Sequence, residues 1–328
     1  MPHAPGFWRR DGLVPRLLTP LSWLVGGITA RRVARPGWRA PVPVICCGNV
    51  TVGGAGKTTL VADLADRLVA DGRRVHILLR GYGGSIRATH RVTADDTAAA
   101  VGDEAKLLSC LAPTWIGADR AASARAAVAA GAQVLVLDDG LQNPMLAKDL
   151  SLLVIDGGTG FGNGHVLPAG PLREPVAAGA ARCQAAVLIG EDRTGALARL
   201  PPGLGVLRAR LEQGPELAEL VGRRVLAFAG IAVPEKFFAP LEAAGVVVAG
   251  RVPFPDHHAF SRKELDGLAA RARHLDAILV TTLKDAVRLP PERRGAVRVV
   301  NVTLAWDDPG AIDHLLLTLP FEKGTDPP

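Results

Sequence analysis

One glycine-rich stretch constrains this chain more than any other feature. Gly48-Asn49-Val50-Thr51-Val52-Gly53-Gly54-Ala55-Gly56-Lys57-Thr58-Thr59 follows the apolar run Val42–Cys46 and precedes a helical pattern. Glycines let backbone N–H groups turn inward around an anion, and the helix adds its positive N-terminus. Lys57 would then reach the β- and γ-phosphates of a nucleotide, and the Thr58 hydroxyl would ligate Mg2+. The strict pattern opens on glycine six residues before the lysine, where this chain has Thr51. The run Val134-Leu135-Val136-Leu137-Asp138-Asp139 supports the same site. A carboxylate at the C-terminal edge of a parallel strand can reach a Mg2+ held by Thr58, so Asp138 and Asp139 are candidate metal residues.

Around this motif the pattern is α/β. Buried strands are predicted at Val42–Cys46, Val75–Leu79, Val134–Asp138, Leu152–Asp156, Ala186–Ile189, Val225–Ala229, Val246–Val252, Ala277–Thr281 and Val297–Val302. Helical stretches alternate with them, among them Thr58–Ala70, Asp103–Leu111, Arg120–Ala130, Ser261–Arg273 and Ile312–Leu319. The expected fold is α/β, with a P-loop NTPase-like core on a mostly parallel sheet and a smaller second α/β domain. The Pro/Gly-rich stretch 199–205 suggests a kinase-sized first domain over 41–204 and a second over 205–328, with the tail 324–328 frayed. The loop Gly157–Pro175 is too long and Gly/Pro-rich for an ordinary connection, and loops of that kind usually bind something or close over a site. Four scattered Cys exclude a disulfide scaffold or zinc ribbon and fit a reducing compartment.

Charge separates one end from the rest. The net charge is +6, and the first forty residues hold seven Arg against Asp11, leaving 31 basic and 31 acidic residues elsewhere. A neutral body argues against a nucleic-acid surface. Residues 1–40 interleave that Arg with Phe7, Trp8, Leu13, Leu17, Leu18, Leu21, Trp23, Leu24 and Ile28. The uncharged stretch 17–30 is short for a membrane span, and Pro20 and Gly26-Gly27 are expected to interrupt it. An amphipathic membrane-interface segment is the expectation, against a helix that packs its Leu face on the domain.

P-loops serve switches, motors and kinases alike. A guanine-reading motif is absent, since Thr281-Thr282-Leu283-Lys284-Asp285 has the wrong spacing. The other polar clusters are Arg80-Gly81-Tyr82-Gly83-Gly84, Val101-Gly102-Asp103-Glu104, Asp139-Gly140-Leu141-Gln142, Leu167–Pro175 and Phe254-Pro255-Asp256-His257-His258. With the P-loop, and in this order, they resemble the tetraacyldisaccharide 4'-kinases, the lipid A 4'-kinases of Gram-negative bacteria. The resemblance runs from the N-terminal segment through Thr282–Leu289.

It implies transfer of the ATP γ-phosphate to the 4'-hydroxyl of an anionic acylated glucosamine disaccharide 1-phosphate. It also implies a peripheral protein at the cytoplasmic face of the inner membrane, with the site between two domains and no obligate protein partner. ATP would be bound by Thr51, Val52, Gly53, Gly54, Ala55, Gly56, Lys57, Thr58, Thr59 and Arg173. Asp103, His257 and Lys57 would be catalytic, and Glu104 and Glu174 would join Thr58, Asp138 and Asp139 near the metal. The chemistry is coherent on its own: a carboxylate can take the proton of a sugar hydroxyl, and a His bonded to it orients it. Arg80 and Arg120, just after strands, are candidates for substrate phosphate. Departures from the family pattern are Asn143 for His, Leu283 for Glu, Thr59 for Pro and Leu79 for Ser. Two alternatives compete: a P-loop ATPase switch or assembly factor acting on a protein, and a soluble sugar kinase, against which the Trp/Arg-rich N-terminus counts.

Overall fold

The computed structural model describes residues 5–321, so the tail 324–328 lies outside the described residues. Thirteen strands are present among them: β1 (Val44–Gly48), β2 (Val75–Leu79), β3 (His90–Arg91), β4 (Thr114–Ile116), β5 (Val134–Asp138), β6 (Leu150–Asp156), β7 (Ala185–Ile189), β8 (Gly205–Gln213), β9 (Arg224–Ala229), β10 (Val247–Pro253), β11 (Ile278–Thr282), β12 (Arg298–Val300) and β13 (Val302–Trp306). Nine form one sheet in the order β13-β8-β7-β6-β1-β5-β2-β4-β3. Pairing is parallel except where β13 and β3 close the two edges antiparallel. The glycine-rich stretch leaves the middle of this sheet, where β1, β2, β5 and β7 are buried along their whole length. Continuous apolar runs are what a parallel sheet covered on both faces requires.

The other four strands form a parallel sheet in the order β10-β9-β11-β12. Helix Glu235–Ala243 lays Phe237, Phe238 and Leu241 on one face of it, and helix Arg262–His274 lays Leu265, Leu268 and Ala272 on the other. Ser261 starts the second helix with a capping box closed by Glu264.

The two sheets do not divide the chain at 204/205. β8 follows the Pro/Gly stretch but pairs in parallel with β7, extending the large sheet. Its nine residues alternate charged and apolar types and are mostly exposed, so no buried run announces it. The predicted strand Val297–Val302 is really two strands in different sheets. β12 completes the small sheet, Asn301 turns the chain, and β13 returns to pair with β8, Val302 opposite Gln213. The small unit is thus an insertion between two neighbouring strands, and helix Pro309–Leu317 buries Ile312 and Leu316 back in the large core.

The N-terminal segment also departs from expectation. Leu13–Val33 is one helix of 21 residues, uninterrupted by Pro20 or Gly26-Gly27. Pro15, Ser22 and Thr29 recur every seven residues, lie on one face and are the buried positions. Ser22 Oγ donates to the Val166 carbonyl at 2.7 Å and accepts from the Ala169 amide at 3.2 Å. That anchorage to the body offsets the poor helix propensity of Pro and Gly. Leu13, Leu17 and Trp23 are more than 70 % exposed, with Leu21, Leu24 and Ile28 also outside. The Leu face therefore points away from the domain. By length and composition this helix is also sufficient to cross a membrane.

Candidate active site

β1 and β5 run in register, Cys47 opposite Asp138, so the Walker-type acids end level with the start of the glycine-rich loop. Helix Lys57–Ala70 follows, buried through Leu60, Val61, Leu64 and Leu68. Leu60 donates its N–H back to the Gly56 carbonyl at 3.1 Å, and the N–H groups of Lys57, Thr58 and Thr59 before it have no intrahelical partner. Among the described residues, the Gly53, Gly54, Ala55 and Gly56 amides donate to no loop carbonyl either. Open space surrounds the Cβ positions of Gly53 and Gly54. This concave run of free donors is the cradle a polyphosphate needs. Gly56 is required twice: its φ of +86° is left-handed, and a Cβ there would stand 2.5 Å from Ile189 Cδ1.

Behind the cradle, Thr58 Oγ1 donates to Asp138 Oδ2 at 2.9 Å. Burial pushes Asp138 up to about 6, although Lys57 draws it down; Asp139 and Glu104 are near enough to raise it further. Asp139, at φ +55°, lies 3.6 Å from Lys57 Nζ and accepts from Arg173 Nη1 at 2.9 Å. Lys57, Thr58, Asp138, Asp139 and Arg173 are therefore gathered at one point. A hydroxyl beside a buried carboxylate is a hard-oxygen pair suited to Mg2+. Among the described residues no three His, Cys, Asp or Glu side chains converge on a metal position. The donor set still fits Mg2+, which takes one or two protein ligands and completes its shell with water and phosphate oxygens.

Three expected residues, Glu174, Val52 and Thr51, are engaged within the protein. Glu174 is buried with Oε1 accepting from Gln142 Nε2 at 2.8 Å and Arg182 Nη2 at 2.7 Å. A carboxylate engaged by an arginine and an amide braces the loop. The Val52 amide donates to the Pro171 carbonyl at 2.8 Å, which removes it from the cradle. Thr51 sits one residue further out, bridged to Leu172, and its Oγ1 accepts from Asn49 Nδ2 at 2.9 Å. Both contacts come from the loop Gly157–Pro175, which lies along the phosphate loop and carries Arg173 to it. The same loop holds the N-terminus: Trp8 Nε1 donates to Pro168 and Asn163 Nδ2 to Phe7. Gln142 was not foreseen as a site residue, yet it ties Asn49 to Glu174 and reaches Arg173 at 3.3 Å.

Asp103 opens the short helix Asp103–Leu108. Gly102, at φ +93°, lets that helix abut the Tyr82 carbonyl, in contact where any Cβ would collide. From the inserted unit His257 Nδ1 meets Asp103 Oδ2 at 2.7 Å. That hydrogen bond raises the His257 pKa, with Asp256 and Glu104 adding to it against burial. His257 itself is left-handed, at φ +59°. The next residue, His258, stacks on Phe254 and meets Glu264 at 3.0 Å. Glu104 points to Lys284 of the inserted unit, 3.3 Å away. The Thr282–Asp285 string, which fails as a guanine motif, places this lysine and a fully buried Asp285 at the seam. Arg120 is buried, donating to the Gly117 carbonyl with Nε unpartnered; burial first, then Arg80, lowers it to about 10. Asn143 caps the Met145 amide, a structural task.

Comparison with known proteins gives the family. The LpxK family, described as tetraacyldisaccharide-1-P 4'-kinase, matches residues 14–320. A tetraacyldisaccharide 4'-kinase of Gluconacetobacter diazotrophicus is 61 % identical over 317 residues, covering 96 % of this chain and 97 % of the relative. One from Rhodospirillum centenum is 56 % identical, covering 96 % of each. The crystal structure of "apo" form LpxK from Aquifex aeolicus in complex with ATP superposes with a TM-score of 0.76 at 27 % identity, covering 93 % of this chain and 99 % of that one.

Proposed function

This chain belongs to the LpxK family of tetraacyldisaccharide 4'-kinases, and from that premise we propose how its residues perform the transfer. The protein is an ATP-dependent phosphotransferase that phosphorylates the 4'-position of the lipid A disaccharide precursor. Residues 53–59 hold the triphosphate by backbone N–H groups, and Lys57 and Arg173 meet its outer oxygens. Thr58 and Asp138 would hold Mg2+, with Asp139 and Glu104 close by, and bound there it would neutralise charge on the β- and γ-phosphates. Asp103 accepts the proton of the 4'-hydroxyl as its oxygen bonds to the γ-phosphorus. The bond from that phosphorus to the β-bridging oxygen breaks, and ADP leaves. His257 orients Asp103 by holding Oδ2, which leaves Oδ1 to face the hydroxyl. The observation that carries this reading is the 2.7 Å contact between Asp103 and His257, residues of two units that meet beside the cradle.

The outer face of helix Leu13–Val33 docks peripherally on the cytoplasmic leaflet of the inner membrane. Its Leu and Trp side chains enter the acyl boundary while Arg16, Arg31, Arg32 and Arg35 meet anionic headgroups. Anchorage through Ser22 supports a helix lying along the body rather than leaving it to span. The acyl chains of the substrate then stay in the leaflet while its headgroup enters the cleft.

Transfer of γ-labelled phosphate from ATP to tetraacyldisaccharide 1-phosphate in mixed micelles tests the assignments. Labelled bisphosphorylated lipid from wild type, largely lost in Asp103→Ala and Lys57→Ala, is the expected result. Full activity in Asp103→Ala would remove it as the proton acceptor.

A further inference from the structure

We propose that Arg288 is a positioning residue for the phosphoryl transfer, acting through both Asp103 and His257; this rests on the roles given to that pair above. Its guanidinium is 6 % exposed and lies at the seam between the two units. Nε stands 3.2 Å from Asp103 Oδ2, the same oxygen that His257 Nδ1 contacts. Nη1 donates to the His258 carbonyl at 3.0 Å and Nη2 to the Gly230 carbonyl at 3.0 Å. The Gly230 carbonyl also accepts the backbone N–H of His257 at 3.1 Å. The Nε hydrogen itself goes to the Lys284 carbonyl at 3.2 Å, so one side chain sets its charge beside the carboxylate and clamps the loop that carries the imidazole.

The effect is geometric. The His257 ring and the Arg288 guanidinium, both on Oδ2, fix the rotation of the Asp103 carboxylate and turn Oδ1 toward the cleft. Clamping Gly230 and His258 holds His257 in a left-handed conformation that a histidine rarely adopts unaided. Arg288 is itself fixed from behind. Asp285, fully buried, lies 3.1 Å from Nη2 and is held by the Gly230 amide at 2.9 Å and Thr282 Oγ1 at 2.6 Å. Phe260 lies under the guanidinium, 5.9 Å from its ring centre. A planar fork can serve these partners at once, whereas an ammonium is a single point of charge.

Arg288→Gln, Arg288→Lys and Asp103→Asn, compared in the micelle assay with thermal unfolding and nucleotide affinity, test this. A catalytic group displaced by about 1 Å can lose about 100-fold in rate. The expected result for Arg288→Gln is a kcat lower by about 10- to 100-fold. KM for both substrates and nucleotide affinity should stay within about threefold, because Arg288 touches neither. Arg288→Lys should recover part of kcat. Loss confined to KM or nucleotide affinity, or more than half of kcat retained in Arg288→Gln, overturns the inference. If Arg288→Gln does not fold, Arg288→Lys decides: lowered kcat with unchanged KM supports the role, and unchanged kcat with a lower Tm refutes it. Full kcat in Asp103→Asn would instead sink the reading on which the inference rests.

Discussion

Replacing Gly56 with Ala, then deleting one methyl from Ile189, separates backbone strain from steric conflict in the phosphate loop. Gly56 sits at φ +86°, ψ 9°, where an L-residue costs about 1–2 kcal/mol. Its new Cβ would stand 2.5 Å from Ile189 Cδ1 at the end of β7. Relieving such a contact by moving a buried side chain costs about 1–3 kcal/mol. Gly56→Ala should therefore destabilise the formed loop by about 2–5 kcal/mol. At the lower end, if the loop must be re-formed to bind, ATP affinity falls about 30-fold. Ile189→Val removes Cδ1 itself and alone should cost about 0.5–1.5 kcal/mol. In the Ile189→Val background, Gly56→Ala should lose the steric part and cost only the conformational ~1–2 kcal/mol. Calorimetric ATP titration and urea unfolding of the four proteins give the coupling directly. If Ile189→Val restores nothing in the Gly56→Ala background, or if Gly56→Ala costs under about 0.5 kcal/mol, the reasoning is wrong.

The pKa of His257 is raised by Asp103, so the stability this contact supplies is present below about 6.5 and is lost as pH rises through the folded value. The Tm difference between wild type and His257→Ala should therefore be larger at pH 5.5 than at pH 8.5, and the reverse order would refute the linkage. Ser261→Ala removes the capping box of helix Arg262–His274 and should cost about 1 kcal/mol in urea unfolding. Leu17→Glu and Trp23→Glu change exposed positions, so Tm should hold while partition onto vesicles of anionic lipid falls. Wild-type partition should weaken with added salt if the arginines contribute as drawn, and salt-independent binding would argue for insertion alone.

Much of the centre was legible because its signals are local. Glycines followed by Lys57-Thr58 and an apolar run ending in Asp138 each state a backbone conformation and a chemistry together. Resemblance to the family supplied the Asp103–His257 pairing, since 154 residues separate the two and nothing local marks either. What escaped notice was long-range. β8 is mostly exposed and alternates Arg and Glu with apolar residues, so it lacks the run that reveals a buried strand. The split at Asn301 is invisible because both halves of Val297–Val302 are equally β-prone. The N-terminal helix was misjudged at Pro20 and Gly26-Gly27, because propensity ignores the anchor that Ser22 finds 144 residues away. The partner of Glu174 was equally hidden, since Arg182 reaches it from eight residues on, across the helix Val176–Ala180.

The adjacency of Gln213 and Val302 has a mechanical meaning. The inserted unit leaves and re-enters the large sheet through a matched pair of neighbouring strands, like a page bound along one short spine. Both of its connections therefore lie side by side, and from them the unit brings His257, Lys284 and Arg288 together to Asp103 and Glu104. The same layout makes the insertion excisable: a short turn from Gln213 to Val302 would close β8 and β13 into a hairpin. The remaining chain would keep its cradle for ATP and lack the histidine that faces Asp103.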